Sequence, residues 1–296
     1  MSVENIHKAG FVSIIGKPNV GKSTLMNALV GERLSIITSK AQTTRHRIMG
    51  IINADDFQII YSDTPGIIKP QYELQKSMMR FVHTSLDDAD VILFVTDIYE
   101  KFDEEDVLKK LANINVPVFL LINKIDLANQ EEVNEKVEYW KNYINPSEIM
   151  AVSALNQFNT EFILPIILKY LPVHPPYFDK DALTDKPEKF FAAEIIREKI
   201  FLNYKKEIPY SCEVIVISFN EKEDIIVIQT EILVERESQK GIIIGDKGSA
   251  LKKVGIMARE EMEKFFQKKV FLEMFVKVEP DWRSRENKLR QFGYNE

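Results

Sequence analysis

The chain has 296 residues, 45% hydrophobic and 28% charged, with a formal net charge of −6. That length supports two domains and a sizeable core. No apolar run approaches the roughly 18 residues of a membrane span, and the N-terminus predicts no signal peptide. The acidic total argues against nucleic acid as a partner of the whole chain, but the charge is split. Basic against acidic residues stand at 20 to 26 in residues 1–189 and at 19 to 19 in residues 190–296. The single cysteine, Cys212, lies in an apolar strand pattern. It reads as a buried small hydrophobe in a reducing compartment.

Phe11-Val12-Ser13-Ile14-Ile15 predicts a buried strand, and Thr24–Val30 predicts a helix ended by Gly31. Between them lies Gly16-Lys17-Pro18-Asn19-Val20-Gly21-Lys22-Ser23. Strand, glycine-bounded loop, Lys-Ser and helix are the context that a phosphate-binding loop requires. Glycines let the backbone approach phosphates, and the helix N-terminus adds positive potential. Lys22 supplies charge for the β and γ oxygens, and Ser23 an oxygen for Mg2+.

Residues 32–50 lack periodicity and read as a long loop containing Thr43-Thr44-Arg45. A strand at 57–61 runs into Asp63-Thr64-Pro65-Gly66-Ile67. There Asp63 can reach Mg2+ and the Gly66 N–H can meet a γ-phosphate. A core helix is expected over 71–86, a strand at 91–95 and an acidic helix around 103–112. The strand at 118–122 delivers Asn123-Lys124-Ile125-Asp126. A buried carboxylate at Asp126 would accept from N1–H and the 2-amino group of guanine and would reject adenine. A helix at 131–144 and a strand at 149–152 lead to Ser153-Ala154-Leu155, and Pro165 implies a late start for a helix over 160–170.

Alternating strands and helices predict an α/β domain with a mostly parallel sheet and helices on both faces. Ligands bind at the carboxyl ends of such strands, where Gly16, Asp63, Asn123 and Ser153 all fall. In this order the motifs resemble the full set of translation-factor-related P-loop GTPases. The resemblance implies a nucleotide site over Gly16–Thr24, Asp63–Ile67, Asn123, Lys124, Asp126 and Ser153–Leu155. Mg2+ would be held by Ser23 and by Thr43 or Thr44, with Asp63 behind them. Asn123 and Asp126 would read guanine, Lys124 would lie along the base, and the Ala154 N–H would meet the guanine oxygen. Lys22, Asn19, Thr44 and Gly66 are the residues expected to serve catalysis. Ile67 stands where Ras-like enzymes place the glutamine that orients water, so slow intrinsic hydrolysis is expected. Asn19 resembles the loop asparagine of GTPases that bind K+ beside the phosphates.

Prolines 172, 175, 176 and 187 bracket a polar stretch, giving a first domain over 1–172 and an extended linker over 173–189. Residues 190–296 then read as α-β-β-α-α-β. An amphipathic helix carries Phe191, Ile195, Ile196, Ile200 and Leu202, two strands lie near 210–219 and 225–235, and a helix turns Leu251, Val254, Ala258, Met262 and Phe265 inward. The last strand alternates, with Leu272, Met274, Val276 and Val278 on one face. Gly245-Asp246-Lys247-Gly248 resembles the G-x-x-G loop of a KH domain, which clamps single-stranded nucleotides. Lys240, Lys247, Lys252 and Lys253 gather around it. A second basic run, Arg283, Arg285, Lys288 and Arg290, lies beside Trp282 and Phe292 and suits a flexible RNA strand.

From Gly16 to the C-terminal segment the chain resembles the bacterial Era family: an α/β P-loop GTPase domain joined to a smaller α+β type II KH domain. Lys40–Arg47 resembles that family's effector segment. The resemblance implies a GTP/GDP switch using Mg2+, with K+ as a candidate second cation. It further implies a monomer in the cytoplasm that binds small-subunit (16S) ribosomal RNA near its 3′ end, acts in small-subunit assembly, and makes at most peripheral membrane contact. An RNA-binding assembly factor that scarcely turns over GTP remains the alternative, and a P-loop ATPase is disfavoured by Asn123–Asp126.

Overall fold

Segments of nearly unbroken apolar sequence become strands buried on both faces, the pattern of a parallel sheet covered by helices. The structure, a computed structural model, describes residues 6–100 and 105–294. It divides into two units, Met1–Gln71 with Gln75–Asp185, and Tyr72–Leu74 with Lys186–Glu296.

The first unit runs β1 (Lys8–Ile15), α1 (Lys22–Val30), β2 (Ile48–Asn53), β3 (Phe57–Asp63), α2 (Glu73–Asp87), β4 (Val91–Asp97) and α3 (Glu105–Asn113). It continues with β5 (Val118–Asn123), α4 (Gln130–Lys141), β6 (Glu148–Ala151) and α5 (Ile163–Tyr170). The sheet order is β2-β3-β1-β4-β5-β6, and all neighbours are parallel except β2 and β3. Ile15, Ile92, Phe94, Leu120 and Ile122 pack with Val82, Leu111, Val133 and Trp140 from α2, α3 and α4. Residues of opposite parity, Ile14, Leu93 and Leu121, are equally buried. Both faces are therefore covered.

Sequence reading missed β2. Its Gly50 and the polar residues before it hide a short strand that pairs antiparallel with β3 over Ile48–Asn53. The acidic helix begins, among the described residues, at Glu105, so Asp103 lies outside them. A single 3-10 turn at Thr160–Phe162 precedes α5, the late start that Pro165 demands.

The linker expected over 173–189 is corrected. Residues up to Asp185 are strapped onto the first unit. Buried Gln58 accepts from the N–H groups of Tyr177 (2.7 Å) and Phe178 (2.9 Å) and donates to the Phe178 carbonyl at 2.9 Å. Ile51 N donates to the Leu183 carbonyl at 2.8 Å, and Met49 N to Asp185 Oδ1 at 2.9 Å. Prolines forbid a helix here, but the open edge of β2 accepts an extended chain.

The second unit runs α6 (Glu188–Asn203), α7 (Ile208–Ser211), β7 (Glu213–Glu221), β8 (Ile225–Val234) and α8 (Glu237–Ile244). It ends with α9 (Ser249–Phe266), β9 (Lys269–Val278) and α10 (Glu286–Gln291). The sheet order is β7-β8-β9, antiparallel then parallel. Its core joins Ile195, Ile196 and Ile200 of α6 to Ile228, Ile232, Val254, Ala258 and Met262. Leu202, expected inward, is exposed. Leu251 and Phe265 are half-buried rather than central. Cys212 is buried, and among the described residues no helix is long and apolar enough to cross a membrane.

Candidate nucleotide site and RNA-binding surface

The first site is a cleft of about 420 Å³ at the carboxyl ends of the parallel strands. Its lining includes Asn19, Gly21, Lys22, Ser23, Thr44, Gly66, Asn123, Lys124, Asp126 and Leu155. The phosphate loop depends on its glycines. Gly16 has φ 151°, and a Cβ there would lie 2.1 Å from the Val95 carbonyl oxygen. Gly21 has φ 97°, and a Cβ there would lie 2.2 Å from Asn123 Nδ2. A Cβ on Gly66 would meet Pro18 within 2.7 Å, so only glycine brings the turn after β3 onto this loop.

Lys22 begins α1, is buried, and donates to the Lys17 carbonyl at 2.8 Å. Burial pushes its pKa from 10.5 down to about 8, against the opposing charges of Asp63 and Glu100. Ser23 Oγ donates to Asp63 Oδ2 at 2.6 Å and lies 2.9 Å from Thr44 Oγ1. Burial raises the Asp63 pKa, with Ser23 and Lys22 opposing. Asp63 Oδ1 is buried with no hydrogen-bond partner. Three oxygen-bearing side chains with one orphaned buried oxygen fit a hard divalent cation such as Mg2+. Thr43, expected as an equal candidate, faces elsewhere: its hydroxyl lies 2.6 Å from Thr38 Oγ1 and donates to the Lys40 carbonyl. Thr44 is the threonine at this cluster.

Asn19 has φ 65° and donates to the Ser39 carbonyl at 3.1 Å, tying the phosphate loop to the 32–47 segment. Ile67 is buried in the core and its N–H donates to the Gly16 carbonyl at 3.0 Å, so its side chain cannot face water in the cleft. The Thr64 hydroxyl donates to the Ile14 carbonyl.

The base end is wired differently from the expectation. Asn123 Nδ2 donates to the Val20 carbonyl (2.8 Å), and its Oδ1 accepts from Ala154 N (2.9 Å). The asparagine therefore bridges two loops, and the Ala154 N–H expected to face guanine points to Asn123. Asp126, expected buried, is exposed at the cleft, and its Oδ1 accepts from Ser153 Oγ at 2.6 Å. Sequence reading missed Asp97 and Glu100. Asp97 ends β4 and Glu100 lies three residues on, in a stretch without motif, yet Asp97 pairs with Lys124 at 2.8 Å and Glu100 acts on Lys22.

In the second unit, Gly245 (φ 72°, ψ −178°) ends α8, Asp246–Gly248 form a 3-10 turn, and Gly248 (φ 80°) opens α9. Lys247 also has positive φ, 48°. Three such residues turn the loop tip outward with Asp246, Lys247, Lys252 and Lys253 exposed, while Lys240 is half-buried. A groove of about 380 Å³ runs from Gly248 along Leu251, Lys252, Gly255, Ile256 and Arg259 to Leu272 and Met274. Gly255, Ile256 and Arg259 were missed. The signal was a glycine inside a helix, which needs a packing reason: a Cβ on Gly255 would lie 2.7 Å from Met274 Cε.

In the second basic run the aromatic partner expected at Trp282 is corrected, while Arg285 and Arg290 stay exposed. Trp282 is fully buried, its indole N–H donating to the Ser211 carbonyl at 3.0 Å. Tyr294, also buried, donates to Glu213 at 2.7 Å. Arg283 pairs with Glu235, and Arg285 and Lys288 pair with Glu279. Trp282 and Tyr294 are thus packed into the fold and unavailable to stack on RNA, while Phe292 is half-buried against Trp282.

A phosphate loop, an Asp-Thr-Pro-Gly turn and an Asn-Lys-x-Asp turn at one sheet edge define a P-loop GTPase domain. The α-β-β-α-α-β unit with its glycine turn defines a KH domain. Family profiles agree: one described as a 50S ribosome-binding GTPase matches residues 11–124, and one described as a KH domain matches residues 207–283. The chain is 47% identical over 293 residues to GTPase Era of Syntrophus aciditrophicus (strain SB), covering 98% of this chain and 96% of that protein. Two crystal structures are each 42% identical with a TM-score of 0.93, covering 98% of this chain and all of theirs. One is Era in complex with MgGDPNP and nucleotides 1506–1542 of 16S ribosomal RNA; the other is a single-site variant of Aquifex aeolicus Era bound to GDP and aluminium fluoride. The chain belongs to the Era family of GTPases.

Proposed function

We propose that the chain is a guanine-nucleotide switch that binds the 3′ region of 16S ribosomal RNA and acts in small-subunit maturation. The observation that carries this is the full-length likeness to an Era protein crystallised with both MgGDPNP and that RNA segment. The matching 50S-named profile covers only GTPase residues, whereas the RNA-bound relative spans 98% of this chain, so the small subunit is the better-supported target.

Ser23 and Thr44 would hold Mg2+ with Asp63 behind them, and the ion when bound neutralises charge on the β and γ oxygens. Lys22 and the backbone N–H groups of 16–23 hold the phosphates. Asp126 reads guanine, and a base seated over it would supply the desolvation that makes its selectivity sharp. Ser153 fixes that carboxylate, and Asn123 ties the base turn to the phosphate loop. Buried Ile67 leaves water orientation to other groups, so intrinsic hydrolysis is slow, with Asn19 the candidate K+ ligand. GTP would order 32–47 and 66–72, and hydrolysis would release them. In the second unit Gly245–Gly248, with Lys247, Lys252 and Lys253, would clamp the RNA backbone, and the groove beside Ile256 and Arg259 would take bases. A ribosomal RNA target would place the chain in the cytoplasm, with at most peripheral membrane contact.

The test is binding of the full chain to a 3′-terminal 16S fragment with GTP analogue or GDP bound, and nucleotide affinity with and without saturating RNA. Coupling is reciprocal, so the ratio of RNA affinities in the GTP-analogue and GDP states equals the factor by which saturating RNA changes the preference for GTP analogue over GDP. No RNA binding in either state would overturn the proposal.

A further inference from the structure

The turn that carries Asp126 is gripped from behind. Lys124 sits in the left-handed region (φ 62°, ψ 32°), a conformation that costs a non-glycine residue energy and needs support. Asp97, the last residue of β4, lies opposite Asn123 in the β4–β5 register. Its Oδ2 meets Lys124 Nζ at 2.8 Å, with the Asp97 side chain only 16% exposed. Its Oδ1 accepts from the N–H groups of Tyr99 (3.0 Å) and Glu100 (2.9 Å). That local turn projects Tyr99, whose hydroxyl donates to the Leu127 carbonyl at 2.6 Å. Both ends of the 124–127 turn are thus fastened to the turn after β4, with Asp126 between them. The ammonium held by Asp97 leaves the aliphatic stem of Lys124 free to lie along a base.

We propose that Asp97 and Tyr99 are positioning residues for guanine recognition, acting through Lys124 and Leu127 on the orientation of Asp126. This rests on the reading of Asp126 as the guanine reader. A half-buried, charge-assisted pair is worth more than a surface one, so its loss should be visible in nucleotide dissociation. The exposed Tyr99 contact contributes less.

The experiment measures dissociation of a fluorescent GDP from the full-length protein, preference for GDP over IDP (which lacks the 2-amino group), and affinity for inorganic triphosphate, which fills only the phosphate loop. Asp97→Asn keeps an oxygen for the 97–100 turn and removes the charge on Lys124. GDP should leave about tenfold faster, and Tyr99→Phe should give about threefold. The GDP-over-IDP preference should shrink in both, and triphosphate affinity should stay unchanged. A merely structural role would lower triphosphate affinity equally. Wild-type dissociation in folded Asp97→Asn, or equal loss of triphosphate, overturns the proposal. Should Asp97→Asn fail to fold, wild-type behaviour of Tyr99→Phe overturns it. Asp126→Asn is measured alongside; unchanged guanine preference there would defeat the reader assignment itself, a result distinct from a failure confined to Asp97 and Tyr99.

Discussion

Nucleotide binding should draw a proton onto Lys22. In the free protein burial holds its pKa at about 8. A phosphate chain on the loop places negative charge beside the ammonium and raises that value. The sign follows from linkage: a group whose pKa rises on binding strengthens binding below the free-state pKa, and the gain fades as pH climbs above it, because the free protein has already lost the proton. With the complex still protonated, GDP affinity should fall about fourfold between pH 7 and pH 8.5. Proton uptake over the same span should rise from about 0.1 to about 0.8 per nucleotide. Restoring the ordinary Lys value in full would cap the effect at about 3 kcal/mol. Calorimetry of GDP binding in two buffers of different ionisation heat reads the uptake directly, in a window below the ionisation of guanine N1. Lys22→Met should bind weakly and lose the pH dependence. No uptake by the wild type at pH 8.5, or equal uptake by Lys22→Met, would refute the reasoning.

Asp126→Asn should move preference from guanine toward xanthine nucleotides by an order of magnitude or more, read by competition binding; unchanged preference would sink the specificity argument. Gly248 has φ 80° and open space where a Cβ would stand, so Gly248→Asp should cost the free fold about 1 kcal/mol while weakening RNA binding at least tenfold in filter assays and sparing GDP binding. Gly245→Ala is the poorer probe, since its Cβ would lie 2.5 Å from that of Ala250. Turnover in KCl should exceed that in NaCl, and equal rates would remove Asn19 as a K+ ligand. Gln58→Ala should destabilise the first unit by about 2–4 kcal/mol in urea, because it strands the buried polar groups of 177–178, and should open 173–185 to protease.

The fold of the first unit was legible because parallel strands buried on both faces carry an unmistakable apolar run, as in β4 and β5. β2 was hidden because an edge strand needs no such run, and Gly50 reads as a breaker. The strap over 173–185 was hidden for a related reason. Polar, proline-bracketed sequence signals extended chain, and nothing local says whether extended chain hangs free or lies on an open edge. That decision belongs to Gln58, remote in sequence and unremarkable in type. Trp282 misled in the opposite direction: an aromatic among arginines reads as an RNA platform, whereas the indole N–H has a carbonyl to reach only in the folded core.

The convergence of the motifs on one sheet edge was legible, and the wiring between their side chains was not. Each motif names side chains whose chemistry suits a phosphate or a base, and strand C-termini bring them to one edge. Which atom meets which depends on loop conformations that no spacing encodes. Asn123 is the instructive case. Its type and position mark it as a site residue, yet both ends of its amide are used to join the Val20 and Ala154 backbones. Losing it would disturb phosphate and base binding together, whereas losing Asp126 should disturb only the base. The comparison of Asn123→Ala with Asp126→Asn therefore separates a bridging role from a reading one: triphosphate affinity should fall in the first and hold in the second. Triphosphate affinity that holds in both variants would mean that the Asn123 bridge carries little energy.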